Sequence, residues 1–226
     1  MLAFCPLTML IKSTGPSSTL NQFLMGGLVV IWLAGMVYAF WWFALRDLRP
    51  FYQQQEQYAL FESKALAEHL TDVLRKQGKI DIAENDLTLV HFWDPECLCS
   101  RFNTQHVQSL MEEFGDRGVK FLIVLNSASA NQKETWQKGR EYFPGATVIS
   151  SSSLSMSSLI PASPATAVLD QSGQLAYFGP YSLGGLCLSS DDGLVETVLS
   201  DLLAGRPLQF NTISGSGCFC AWREQA

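Results

Sequence analysis

The stretch "DLTLVHFWDPECLCSRF", Asp86 to Phe102, changes its period midway. Asp86 to Trp93 is a short apolar run rich in strand formers, long enough for a buried strand. Beyond it, Phe102, Val107, Leu110, Met111 and Phe114 are spaced as one face of a helix that stops at Gly115. Cys97 and Cys99 stand one residue apart where strand gives way to helix. A cysteine in that position faces the helix dipole and unpaired backbone N–H groups, which stabilise thiolate and lower the thiol pKa from about 8.5. Arg101 adds to this effect, whereas Asp94 and Glu96 oppose it, so moderate activation is expected.

Working outward, "VKFLIVLN" (Val119 to Asn126) predicts a second buried strand, 131–142 a second helix and "ATVIS" a third strand. "TAVLD" and "QLAYF" flank Gln171-Ser172-Gly173, the pattern of a β-hairpin. Leu194, Val195, Val198, Leu199, Leu202 and Leu203 form the apolar face of a last helix, closed by Gly205 and Pro207. The serine-rich stretch 150–158 predicts a loop, and the tail "GSGCFCAW" carries a second pair of alternate cysteines. Strand, helix, strand, helix, strand, hairpin and helix together predict a single α/β sandwich with a mixed sheet.

In their order these residues resemble the thioredoxin-like superfamily. "LVHFWDPEC" is similar to that family's central strand running into its active-site cysteine, and "SPATAVLDQSG" to its segment of proline followed by hairpin. The resemblance spans 86–204 and implies a thioredoxin-like sandwich, a central mixed sheet flanked by helices. It puts Cys97 in the place of the nucleophilic cysteine and Pro164, after a cis Ser163–Pro164 bond, beside it. Trp93 takes the place of the tryptophan that shields the site, and His91 that of a buried acid, where a histidine could shuttle protons near neutral pH or serve as a plain structural residue. Membrane-anchored members of the superfamily act in periplasmic thiol–disulfide exchange, which makes protein thiols and disulfides the expected partners and requires no cofactor.

The spacing departs from the family pattern of two residues between the cysteines. Ser100 stands where the second thiol is expected, and Cys99 comes one place early. A disulfide across Cys97-Leu98-Cys99 would close a strained, easily reduced ring. Cys187, Cys218 and Cys220 are the other candidates to resolve Cys97, and a structural bridge between Cys187 and the tail is equally open. Four thiolates, Cys97, Cys99, Cys218 and Cys220, would also suit tetrahedral zinc or copper(I), which gives an alternative of metal handling. His106 follows Cys99 by about two helical turns, too far along the helix to join easily. A non-catalytic binding or assembly module on the same fold is the third reading.

No charge occurs between Lys12 and Arg46, and Phe23 to Leu45 is apolar throughout. At about 1.5 Å per residue it covers the roughly 30 Å hydrocarbon core of a bilayer. Its end is rich in Tyr, Trp and Phe, which suits the membrane interface. The expected organisation is an N-terminal segment over 1–21, a transmembrane helix over 22–45, a helical stalk or first domain helix over 46–80, and the thioredoxin-like domain with its cysteine-containing tail over 81–226. Five of six cysteines follow the span, two pairs of them closely spaced, which suits an oxidising compartment. A single-pass protein of the bacterial inner membrane with its C-terminal domain in the periplasm is therefore expected. Fourteen of the fifteen Lys and Arg residues and all 21 Asp and Glu follow Lys12 without forming a basic cluster, which argues against nucleic acid as a partner.

Overall fold

The computed structural model describes residues 16–45, 48–52, 72, 86–126, 132–151, 160–183 and 193–222. The chain divides into two compact units, Met1–Arg46 and Asp47–Ala226. Among its described residues the first holds the helix α1 (Pro16–Leu45), whose stretch Leu20–Trp42 has a mean hydropathy of 2.1 and no buried residue. By length and composition it could cross a membrane.

The second unit begins with a short strand, β1 (Leu48–Pro50), followed by the buried Phe51. These residues open the segment expected as a helical stalk or first domain helix and are extended; of the helix expected further along, up to Lys76, only Asp72, which is helical, is described, and most of the serine-rich loop lies outside the described residues. Next come β2 (Leu87–Trp93), α2 (Leu98–Phe114), β3 (Val119–Leu125), α3 (Gln132–Tyr142) and β4 (Thr147–Ser150). The remaining elements are β5 (Ala162–Ser163), β6 (Ala165–Leu169), β7 (Leu175–Gly179), α4 (Leu194–Leu203), β8 (Ser216–Cys218) and β9 (Cys220–Ala221).

Five strands form one sheet in the order β4-β3-β2-β6-β7. The pairs β2–β3 and β3–β4 are parallel, while β6 runs antiparallel to both β2 and β7. Every residue of β2 is buried, as a central strand covered on both faces requires. Alternation along it divides the core. Leu87, Leu89 and Trp93 face Val107, Leu110 and Phe114 of α2 and Val195, Val198 and Leu199 of α4. Val90 and Phe92 face the other way, into a cluster that includes Phe51, Ile160, Phe219 and Trp222. The tail is therefore part of the core.

The β6–β7 hairpin turns at the expected residues. Asp170 Oδ1 accepts N–H bonds from Ser172 and Gln174 at 2.8 and 2.9 Å, and Gly173 supplies the positive φ of 76°. Helix α2 runs into a 3-10 turn at Gly115, and the chain reverses at Gly118, φ 90°. Phe102, expected on the apolar face of α2, is instead half exposed, at 51%. It sits in the first turns of the helix, at the rim, where helical period alone does not guarantee cover.

Candidate active site: four cysteines at the tip of a helix

Cys97 is the N-cap of α2, with extended φ −81° and ψ 120° and no side-chain cap. Its N–H donates to Asp94 O at 3.1 Å, and its carbonyl accepts the Arg101 N–H at 3.1 Å, the first helical bond. The turn leading to it is fixed by Asp94, which is buried. One carboxylate oxygen accepts the Glu96 N–H at 2.9 Å, and the other accepts the Asn126 side-chain amide at 3.1 Å. A buried, doubly bonded carboxylate thus anchors the loop that sets Cys97 in place.

Opposite stands the cis Ser163–Pro164 bond. The Cys97 sulfur lies 3.5 Å from Ser163 O. Ser100, at the position where a two-residue spacing would put the second thiol, is fully buried and shares a hydrogen bond with the Ser163 hydroxyl, which donates to Phe92 O at 3.2 Å. A hydroxyl pair thus fastens the tip of α2 to β5 where a thiol was expected from the family pattern.

The cysteines are not paired with their near neighbours. Cys97 is bonded to Cys220 and Cys99 to Cys218, with Cα separations of 5.9 and 5.6 Å. Two alternate residues of the helix tip meet two alternate residues of the tail in antiparallel order. This replaces both the Cys97–Cys99 ring and the bridge from Cys187 to the tail considered above, since both tail cysteines are taken; Cys187 itself lies outside the described residues. Backbone pairing supports the arrangement. Ser163 is in register with Cys220 and Ala162 with Ala221, while Cys218 of β8 is in register with Leu48 of β1. Phe219, between the two tail cysteines, and Trp222, after them, are both buried in the core.

Neither His91 nor Trp93 hydrogen-bonds to a cysteine of this cluster among the described residues. His91 Nδ1 is 2.9 Å from the Tyr181 hydroxyl, and its ring packs edge-on against Phe143 and Tyr181. Complete burial lowers its pKa to about 3, so the ring is held neutral at neutral pH. The Tyr181 hydroxyl is likewise pushed upward by burial. Trp93 donates to Thr104 Oγ1 at 3.3 Å and packs against Tyr142 and Phe143, a core role. His106 bridges to Glu196 of α4 at 3.4 Å.

Cys218 and Cys220 were among the expected partners of Cys97; the feature that sequence reasoning missed is that both tail cysteines bond, each to a different cysteine of the helix tip. Its signal was the equal spacing of the two cysteine pairs, which lets one segment lie antiparallel across the other and bond twice.

A mixed five-stranded sheet with flanking helices, and a cysteine at the N-cap of α2 against a cis-proline, define a thioredoxin-like fold. The chain belongs to the family described as a domain of unknown function, DUF6436, which matches residues 66–222. Comparison with curated proteins gave no match. Among solved structures, an uncharacterized conserved protein from Geobacillus kaustophilus is similar with a TM-score of 0.52 at 16% identity, over 65% of this chain and 82% of that one. A hypothetical protein from Sinorhizobium meliloti gives a TM-score of 0.53 at 16% identity, over 65% and 84%. At these identities the likeness is one of fold. A thioredoxin-like protein solved in its oxidised form gives a TM-score of 0.43 at 20% identity, over 52% and 80%.

Proposed function

We propose that this protein carries out thiol–disulfide exchange through Cys97 and Cys99, from a domain held at the bacterial inner membrane by α1 and facing the periplasm. The observation that carries this reading is the meeting of both helix-tip cysteines with both tail cysteines beside Pro164. Two disulfides with neighbouring sulfurs hold four electrons' worth of oxidising capacity, and an N-cap position stabilises the thiolate that forms when a bridge opens. The partners on this reading are protein thiols and disulfides. An oxidising compartment fits the two bridges, and the length and apolarity of α1 fit a single-pass anchor.

The test is transfer to a model peptide carrying two thiols. The oxidised protein should convert it to the disulfide while Cys97 and its partner become reducible to free thiols, and the Cys97→Ser, Cys99→Ser double variant should lose the transfer. Transfer that persists in the double variant, or is absent from the wild-type chain, removes the proposal and leaves a binding or assembly module as the function.

One observation favours a second reading. The sulfurs of Cys97, Cys99 and Cys220 lie within 4.8 Å of one another, with Cys218 bonded to Cys99. Once reduced, these thiolates would suit a soft ion such as zinc or copper(I). Anaerobically reduced protein that retains a stoichiometric ion after dialysis would support metal handling; protein that stays free of ion would reject it.

A further inference from the structure

The proposal of disulfide exchange leaves open which sulfur meets the partner. Resemblance points to Cys97. The geometry points elsewhere: we infer that Cys220, in the tail, is the exchanging cysteine, and that Cys97 is the inner thiol that leaves from it and later closes back onto it. This inference rests on the exchange reading and assigns roles within it.

A thiolate displaces one sulfur of a disulfide by approaching the other from the side opposite the bond, so the sulfur attacked must have open space behind it. Cys97 and Cys99 are each only 1% exposed. Cys218 and Cys220 are both of intermediate exposure. An incoming thiolate therefore finds the tail end of either bridge and not the helix end.

The departing sulfur favours the Cys97–Cys220 bridge. A better leaving thiol is one whose thiolate is better stabilised, and Cys97 is the N-cap of a helix of 17 residues with no other side chain capping it. In the step, the partner thiolate forms a bond to Cys220 Sγ, the bond between Cys220 and Cys97 breaks, and its electron pair stays on Cys97 as thiolate. A second thiol of the partner, deprotonated, then attacks the partner's own sulfur in the mixed disulfide and releases the Cys220 thiolate. The partner dithiol is oxidised to a disulfide, the Cys97–Cys220 bridge is reduced, and the two protons given up by the partner end on the two protein thiols or in solvent. Run in reverse, the Cys220 thiolate attacks a partner disulfide and Cys97 resolves it.

The tail does not simply lift to uncover Cys97. Phe219 and Trp222 are core residues at 4% and 7% exposure, and Cys220 and Ala221 pair with Ser163 and Ala162 through backbone bonds that do not depend on the sulfurs. Opening one bridge leaves these contacts in place, so the inner cysteine stays covered while the outer one reacts. The partner this suits is an extended protein segment bearing a cysteine pair, able to reach a partly exposed cysteine at the edge of a short strand.

The experiment uses the full-length oxidised chain and glutathione as the probe. Brief reaction is quenched with acid, free thiols are alkylated with N-ethylmaleimide, and tryptic peptides are read by mass spectrometry. The expected result is glutathione on Cys220 and maleimide on Cys97, with at least tenfold less glutathione on the helix cysteines. Glutathione found equally or mainly on Cys97 or Cys99 overturns the assignment while leaving exchange itself standing. No adduct at all, with bridges that open only in denaturant, overturns the exchange reading and this inference with it. Alkylation rates give an independent measure: Cys220 in Cys97→Ser should react at least tenfold faster than Cys97 in Cys220→Ser, and the reverse order would overturn the assignment.

Discussion

His91 is the only ionisable side chain of β2, and it is fully buried among Phe143 and Tyr181. Its pKa falls from 6.5 to about 3 in the folded protein because burial penalises the charged ring. The unfolded chain therefore binds a proton that the folded chain does not, between those two values. Stability from this group is fully present above pH 6.5 and declines as pH falls towards 3, by up to about 1.4 kcal/mol per unit. Thermal unfolding measured from pH 7 to 4 should show this slope, and His91→Gln should flatten it; an unchanged slope would show that other groups dominate acid destabilisation. The sequence made His91 a choice between shuttle and structural residue, because a lone histidine in a strand does not reveal which face it takes or how deep it lies. Cys97 and Pro164 were legible because each stands where one backbone element hands over to another.

The tail is the element that the sequence concealed. Strands β8 and β9 are three and two residues long, in a Gly-rich stretch with no alternation to read. They exist because β1 and β5 pair with them and because Phe219 and Trp222 fill the face of the sheet that carries Val90 and Phe92. Trp222→Ala and Phe219→Ala should each cost about 3–5 kcal/mol in denaturant unfolding, with faster hydrogen exchange along 216–222. A loss near zero for both would mean that the sulfurs alone hold the tail. A smaller packing test lies in β7, where a methyl group on Gly179 would stand 2.6 Å from the Tyr177 hydroxyl. That hydroxyl donates to Pro180 O at 2.7 Å, so Gly179→Ala should displace it and cost about 1–3 kcal/mol by overpacking. By contrast the central strands and helices were plain in the sequence, since each is long enough to show its own period.

On the scale of the whole molecule, the two disulfides join nearly the same ends. Cys97–Cys220 spans 123 residues and Cys99–Cys218 spans 119 within it. Once one is closed, the other closes only a small ring, so little further chain entropy is removed. Removing either bridge by paired Cys→Ser substitutions should cost about 1–2 kcal/mol, and removing both about 4–6, because only then is the long loop released. Additive losses in denaturant unfolding would contradict this picture. Orientation is a separate expectation: a periplasmic reporter fused after Ala226 should be active, and an active cytosolic reporter at the same point would place the cysteines in a reducing compartment where these bridges have no use.

The central claim is that the four cysteines at the tip of α2 change redox state while the fold remains. Equilibration in dithiol buffers of graded potential, followed by alkylation and mass spectrometry of Cys97, Cys99, Cys218 and Cys220, measures this directly. Reversible opening of Cys97–Cys220 at potentials above about −300 mV, with the tail still docked, is the predicted result. Bridges that stay closed throughout that range, and open only when the domain unfolds, would show them to be structural staples and contradict the account.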